Sequence, residues 1–161
     1  METPRLRTAL LFVLCLALPL IVGAIGSFFT VGNIPGWYAG LAKPFFTPPA
    51  WVFAPAWTVL YILMGWSLFL VLRNGTDRPV VRQGALLFLA QLALNLCWSL
   101  VFFGMHAIAA ALAVLLLLIV LIAATVLVFR RVSVPAAWLL VPYLVWCGFA
   151  AALNAGILLL T

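Results

Sequence analysis

The sequence predicts an all-α membrane protein, a bundle of five transmembrane helices whose first connecting loop is an ordered cap over a pocket. Three observations lead there. Of 161 residues, 69% are hydrophobic and only 6% are charged, against about 25% charged in soluble domains, and no water-soluble fold hides so much apolar surface. Five segments match the roughly 20 apolar residues that a helix needs to cross the hydrocarbon core: 8–29, 51–72, 84–103, 107–129 and 134–159. None shows the alternation of a strand, and lipid requires each backbone group to be satisfied within its own segment, which leaves the helix. The length suits a single domain over 1–161.

The first segment follows Arg5 and Arg7 and runs uncharged from Thr8 to Phe29. It is longer than the about 7 to 15 residues of a signal-peptide core, so it is read as a retained span rather than a leader cleaved near Ala24. Residues 30–50 form the cap: Pro35, Pro44, Pro48 and Pro49 exclude continuous helix, while Trp37, Tyr38, Phe45 and Phe46 suit a membrane interface or a packed lid. An aromatic belt that merely anchors the loop is the plainer alternative. The second segment ends before Asn74-Gly75-Thr76, a glycosylation acceptor by pattern but more simply a turn. In the third, Gln91, Asn95 and Ser99 recur every four residues and share one face. The fifth carries Pro142, and the first Pro19; both free backbone carbonyls, so local kinks are expected. Gly23 with Ser27, and Gly148, Ala152 and Gly156, are small residues at intervals of four that allow close helix approach, and Ala90 and Ala93 could serve the same purpose between protomers.

Charge sets the orientation. Arg5, Arg7, Arg73, Arg78, Arg82, Arg130 and Arg131 all fall on one side of the five spans, and the other side holds only Lys43 and His106. The excess of cations in cytoplasmic loops then puts the N-terminus in the cytoplasm and the C-terminus outside, in the pattern of a bacterial-type plasma membrane. The net charge of +6 is explained by this topology. No basic face gathers for nucleic acid. Cys15, Cys97 and Cys147 lie singly within apolar runs, without the spacing of a disulfide framework or a zinc site. The only carboxylates are Glu2 and Asp77, both outside the spans, and the only imidazole is His106, which lacks a second axial candidate for haem iron. No acid and base pair, metal-ligand cluster or phosphate loop can be assembled.

Polar side chains inside lipid are costly and so mark functional candidates. Trp98 lies beside the Gln91, Asn95 and Ser99 face; Trp57 and Tyr61 share a face of the second helix; Tyr143, Trp146, Ala150 and Asn154 share a flank of the fifth. At about 1.5 Å per residue, Trp57 lies roughly 9 Å below the outer end, Asn95 and Ala150 roughly 12 Å and Trp146 roughly 18 Å. Aromatic walls, a small wall at Ala150 and a few orienting amides make up the usual composition of a small-molecule site. The same spacing also suits amides that only glue helices together.

Several motifs resemble one family. Trp37-Tyr38, Lys43-Pro44, Thr47-Pro48-Pro49 and Trp51-Val52-Phe53-Ala54-Pro55-Ala56-Trp57 are similar to the first loop and second helix of the TspO/translocator proteins, also called tryptophan-rich sensory proteins or peripheral-type benzodiazepine receptors. Leu60-Tyr61 through Met64-Gly65 continues the likeness. Gln91, Asn95, Trp98 and Phe102-Phe103-Gly104 resemble its third helix, and Ala137 to Tyr143, Trp146, Phe149-Ala150 and Leu153-Asn154 its fifth.

The resemblance implies a five-helix bundle, commonly a homodimer, that binds porphyrins such as protoporphyrin IX, synthetic isoquinoline-carboxamide and benzodiazepine ligands, and in some members sterols. Matching positions imply that Trp57, Asn95, Trp146 and Ala150 line the pocket and that Trp37 and Tyr38 close it. With the neighbours named above, the candidate ligand-binding set is Trp37, Tyr38, Trp57, Tyr61, Gln91, Asn95, Trp98, Tyr143, Trp146 and Ala150. The resemblance also implies an alternative for Trp57 and Trp146: in some bacterial members the matching tryptophans are implicated in light- and oxygen-dependent porphyrin breakdown. One departure bears on sterols. The tail from Leu153 to Thr161 has neither the Tyr nor the cation of the cholesterol motif in animal members, a weak motif in any case, so sterol binding is a minor alternative. The expected ligand is therefore a porphyrin, with no obligatory cofactor, no metal and no nucleic acid.

Overall fold

The computed structural model describes residues 4–161; Glu2 lies outside them. Five helices account for almost all of it: α1 (Pro4–Val31), α2 (Phe53–Leu72), α3 (Pro79–Ser99), α4 (Ile108–Arg130) and α5 (Val134–Leu160). All five are long and apolar enough to cross a membrane. Their surface has the inverse pattern of a soluble protein, with Leu14, Leu86, Val120, Leu127, Val145 and Leu159 all exposed, because lipid rather than water is the solvent that the outer face meets.

The third helix begins at Pro79, earlier than its apolar run suggests. Proline suits a first helical position, where its missing N–H would be unpaired in any case, and Arg78 before it is extended at φ −71° and ψ 124°. Val81 in the added turn is fully buried. At its other end α3 loosens into a π-helical turn, Leu100–Gly104. Ser133 caps α5, its hydroxyl accepting from the Ala136 N–H at 3.4 Å. Both α1 and α5 continue across their internal prolines.

Each helix touches two neighbours around a ring in the order α1, α2, α5, α4, α3, and α2 also reaches α3 across the middle. The half nearer the arginines is solid. Phe88 stacks on Phe129 at 6.0 Å, and Gly84 makes room for that ring. Gly65 lets α2 come so close to α1 that a Cβ would lie 2.6 Å from the Cys15 carbonyl oxygen. Ser67 Oγ donates to the Ala136 carbonyl at 2.7 Å, tying α2 to α5.

The opposite half is roofed by residues 32–49. A π-helical turn, Ile34–Tyr38, is closed by the Tyr38 N–H donating to the Asn33 carbonyl at 2.9 Å. The Lys43 ammonium donates to the carbonyls of Tyr38, Ala39 and Leu41 at 2.7, 3.1 and 2.9 Å and lies 4.9 Å over the Tyr38 ring. Its three donors are thus engaged within the cap. Pro44 rests on Gly156 of α5, where a Cβ would collide with it. The loop is thereby an ordered roof.

Candidate functional site

Between α1, α2, the α3 end and α5, directly beneath the cap, lies a cavity of about 340 Å³. Aromatic faces dominate its wall. Trp57 is the hub: its ring lies 5.6 Å from Tyr61, 6.2 Å from both Trp98 and Tyr143, and 6.5 Å from Trp146. Trp98 stacks on Phe102 at 5.6 Å, and the π-helical turn at the end of α3 aims Phe102 and Phe103 inward, where both line the cavity. Phe53 and Tyr38 complete the aromatic wall, and Ala50, Ala54 and Ala150 supply the small side. Burial raises the Tyr38 phenol above its ordinary pKa, so this edge of the roof presents a neutral hydroxyl.

The wall of α1 is made of small residues: Gly23, Ala24, Gly26, Ser27 and Thr30. Gly23 is required, because a Cβ there would overlap the Tyr61 ring at 2.4 Å. Hydroxyls on this side bond to their own helices: Ser27 to the Gly23 carbonyl at 2.9 Å, Thr30 to Gly26 at 3.0 Å and, across on α2, Thr58 to Ala54 at 2.8 Å. Ala24, Ser27, Ala54 and Thr58 are exposed although they line the cavity. The cavity is therefore open sideways, between the cap-side halves of α1 and α2, along the lipid-facing surface.

A polar layer seals the floor. Tyr61 donates from its hydroxyl to Asn95 Oδ1 at 2.8 Å, and Asn95 Nδ2 donates to the Tyr143 hydroxyl at 3.1 Å. Higher up, Asn154 Oδ1 accepts from the Trp98 indole at 3.5 Å while its Nδ2 donates to the Ile108 carbonyl at 3.0 Å, fixing the Trp98 ring against α5 and the start of α4.

Of the ten candidate residues, Tyr38, Trp57, Tyr61, Trp98 and Ala150 line the cavity, and the other five do not. Asn95 and Tyr143 lie in the sealed floor, behind Tyr61. Gln91, one turn further in, is 1% exposed and neither of its amide atoms has a partner in the described protein. Trp37 lies outside the cavity, edge-on to Phe102 at 5.4 Å, and braces the cap. Trp146 stands edge-on behind Trp57 and faces a separate apolar groove between α2 and α5. Counting depth places residues in a layer but leaves their direction around the helix open, which is why Trp146 separates from Ala150. Phe53, Phe102, Phe103, Asn154 and the α1 wall were outside the candidate set. The run Gly23, Gly26, Ser27 and Thr30, small residues on one side of a bulky helix, was the signal for the last of these.

The model of the TspO/MBR family matches residues 15–160. The chain belongs to the TspO/MBR family. Its TspO/MBR relatives include the tryptophan-rich protein TspO of Chlorobaculum tepidum, 48% identical over 152 residues that cover 94% of this chain and 96% of that one. The translocator protein of Homo sapiens is 44% identical over 133 residues, covering 81% of this chain and 78% of its own length. The tryptophan-rich sensory protein of Cereibacter sphaeroides is 42% identical over 119 residues, covering 73% and 72%. The family resemblance of the tryptophan and proline motifs is thereby shown, and with it a multi-pass membrane protein of TspO/MBR type.

Proposed function

We propose that this TspO/MBR protein is a membrane receptor or carrier for flat, largely apolar tetrapyrroles of the protoporphyrin class, held beneath the cap. The carrying observation is the cavity wall itself, with Trp57, Trp98 and Tyr61 faces on one side and alanines and glycines on the other. Its volume is at the lower end of the roughly 300–1,000 Å³ of ligand sites. The opening between α1 and α2 gives the rest of a macrocycle room to project, and gives an apolar ligand a route in from the bilayer. The arginine distribution supports a cytoplasmic N-terminus and an outward cap in a plasma membrane, and exposed Ala90 and Ala93 on α3 suit the interface of a homodimer.

The test is titration of the protein with protoporphyrin IX in the dark, read by tryptophan quenching and by thermal shift. Replacing Trp57 and Trp98 together by leucine should weaken binding by about fivefold to 100-fold, since each of the two lost aromatic contacts contributes about 0.5–1.5 kcal/mol beyond its area. Unchanged affinity refutes the reading.

A second reading, photo-oxidative breakdown of the bound porphyrin, is favoured by one observation: Trp57 contacts Trp98, Trp146 and Tyr61 at 5.6–6.5 Å, a chain of oxidisable rings beside the cavity. Loss of the Soret band under light and air, no faster than in a Trp57/Trp146 double variant, would eliminate it.

A further inference from the structure

We infer that His106, in the turn between α3 and α4, is a positioning residue that latches the cap through Trp37, and that it holds the cap more tightly when protonated. The inference rests on reading the cavity beneath as a ligand site, for which the cap is the roof. The His106 ring stacks on Trp37 with centroids 4.2 Å apart and planes 15° from parallel. Its Nε2 lies 3.0 Å from Asn33 Oδ1, and Asn33 Nδ2 donates to the Phe29 carbonyl at 2.8 Å. The second contact fixes the amide, so Oδ1 faces the imidazole and Nε2 carries a proton. One residue thus joins the end of α1, the cap and the α3–α4 turn. Trp37 in turn is edge-on to Phe102, which lines the cavity, and Tyr38 beside it lines the cavity directly.

His106 has φ 55°, a left-handed conformation that histidine adopts more readily than most residues, though at some cost. The backbone conformation is what sends the ring back over Trp37. Protonation at Nδ1 leaves the Nε2–H bond to Asn33 intact and makes it charge-assisted. It also turns the stacked ring into a cation on an indole face, the strongest aromatic partner for one. The cap's own ionisable side chains are Lys43, tied to three cap carbonyls, and Tyr38, which is buried; Tyr61 and Cys97 lie deeper, on α2 and α3. Asp77 belongs to the opposite end.

Hydrogen exchange of the cap amides, residues 30–50, tests this on the full chain in nanodiscs without ligand. Measurements are made at about pH 5.5 and about pH 7.5. After correction for intrinsic exchange, the wild-type cap should be about two- to fivefold better protected at the lower pH, the size of an exposed cation–π contact. His106→Asn, which tolerates the left-handed backbone, should abolish that pH dependence, and Trp37→Leu should reduce it to the part carried by the Asn33 hydrogen bond. A wild-type cap indifferent to pH, a dependence that survives His106→Asn, or one undiminished in Trp37→Leu, overturns the latch. Protoporphyrin IX dissociation is then followed on the same samples. Slower release at low pH in the wild type alone supports latch and ligand together. Release that ignores a His106-dependent change in protection counts against the porphyrin reading and leaves the latch standing.

Discussion

Asn95→Leu is the sharpest test of what holds the middle of the bundle. The amide joins α2, α3 and α5 by accepting from Tyr61 and donating to Tyr143. Asn95 is 1% exposed, Tyr61 9% and Tyr143 0%, so lipid and packing leave little room for water to replace it. The Tyr61 hydroxyl loses its one acceptor, and a stranded buried hydroxyl costs about 1–3 kcal/mol. Tyr143 keeps the Cys147 thiol beside it, a weak partner, so its share is smaller. Together the loss should be about 2–4 kcal/mol, above the average of about 0.6 kcal/mol for an interhelical hydrogen bond in a membrane protein. The excess arises from the unpaired hydroxyls left behind, not from the bond itself. The assay is reversible unfolding in mixed micelles against the fraction of SDS, followed by tryptophan fluorescence. The control is Tyr61→Phe/Asn95→Leu/Tyr143→Phe, which removes all the polar partners at nearly constant shape and should recover most of the stability. A triple variant as unstable as Asn95→Leu would refute the reasoning and assign the cost to packing.

Two further predictions concern a group beneath the sealed floor and one in the roof. Gln91→Leu should stabilise the bundle by about 1–3 kcal/mol in that assay, because it exchanges a buried amide without partners for an apolar side chain of similar size; a loss of stability would mean that the amide is satisfied by an internal water. Burial raises the Tyr38 phenol, so its contribution to cap stability is complete below the free tyrosine value of about pH 10. It falls away as pH climbs through the raised value, since the open cap then releases a proton that the closed one keeps. Proteolysis within residues 30–50 should accelerate above about pH 10 more steeply in the wild type than in Tyr38→Phe; equal acceleration would show that Tyr38 does not hold the roof.

The helices were legible in the sequence because lipid leaves the backbone one solution and the spans are written as apolar runs. Their ends were less so: Pro79 to Gln83 join α3 although Arg82 is charged, because the membrane edge tolerates a charged turn that still buries Val81. The cap was legible as ordered from its prolines and aromatics, yet its clamps were not. Lys43 reads as a lone cation, and only the fold brings it to three carbonyls of its own loop. Within the site, Trp57, Tyr61, Trp98 and Ala150 were found by depth and face. Gln91 and Asn95 share that face but lie behind Tyr61, and whether a polar face meets a cavity or a neighbouring helix depends on contacts that spacing does not encode. In the α1 wall, Gly23 and Ser27 were read as close helix packing, because small residues that make room for a helix and those that make room for a cavity look alike in sequence.

That smallness bears on what the cavity can distinguish. Ser27, Thr30 and Thr58 turn their hydroxyls to their own helices, and Asn154 engages both ends of its amide with Trp98 and Ile108. The polar atoms around the cavity are therefore mostly satisfied before any ligand arrives. Recognition is left to aromatic faces and shape, and an apolar pocket separates ligands differing by a methylene by only about 1–3 kcal/mol. On the proposed tetrapyrrole reading, the site takes flat apolar molecules as a class. On that same reading, finer selection falls to the roof, where Lys43 holds Tyr38 and the proposed His106 latch holds Trp37.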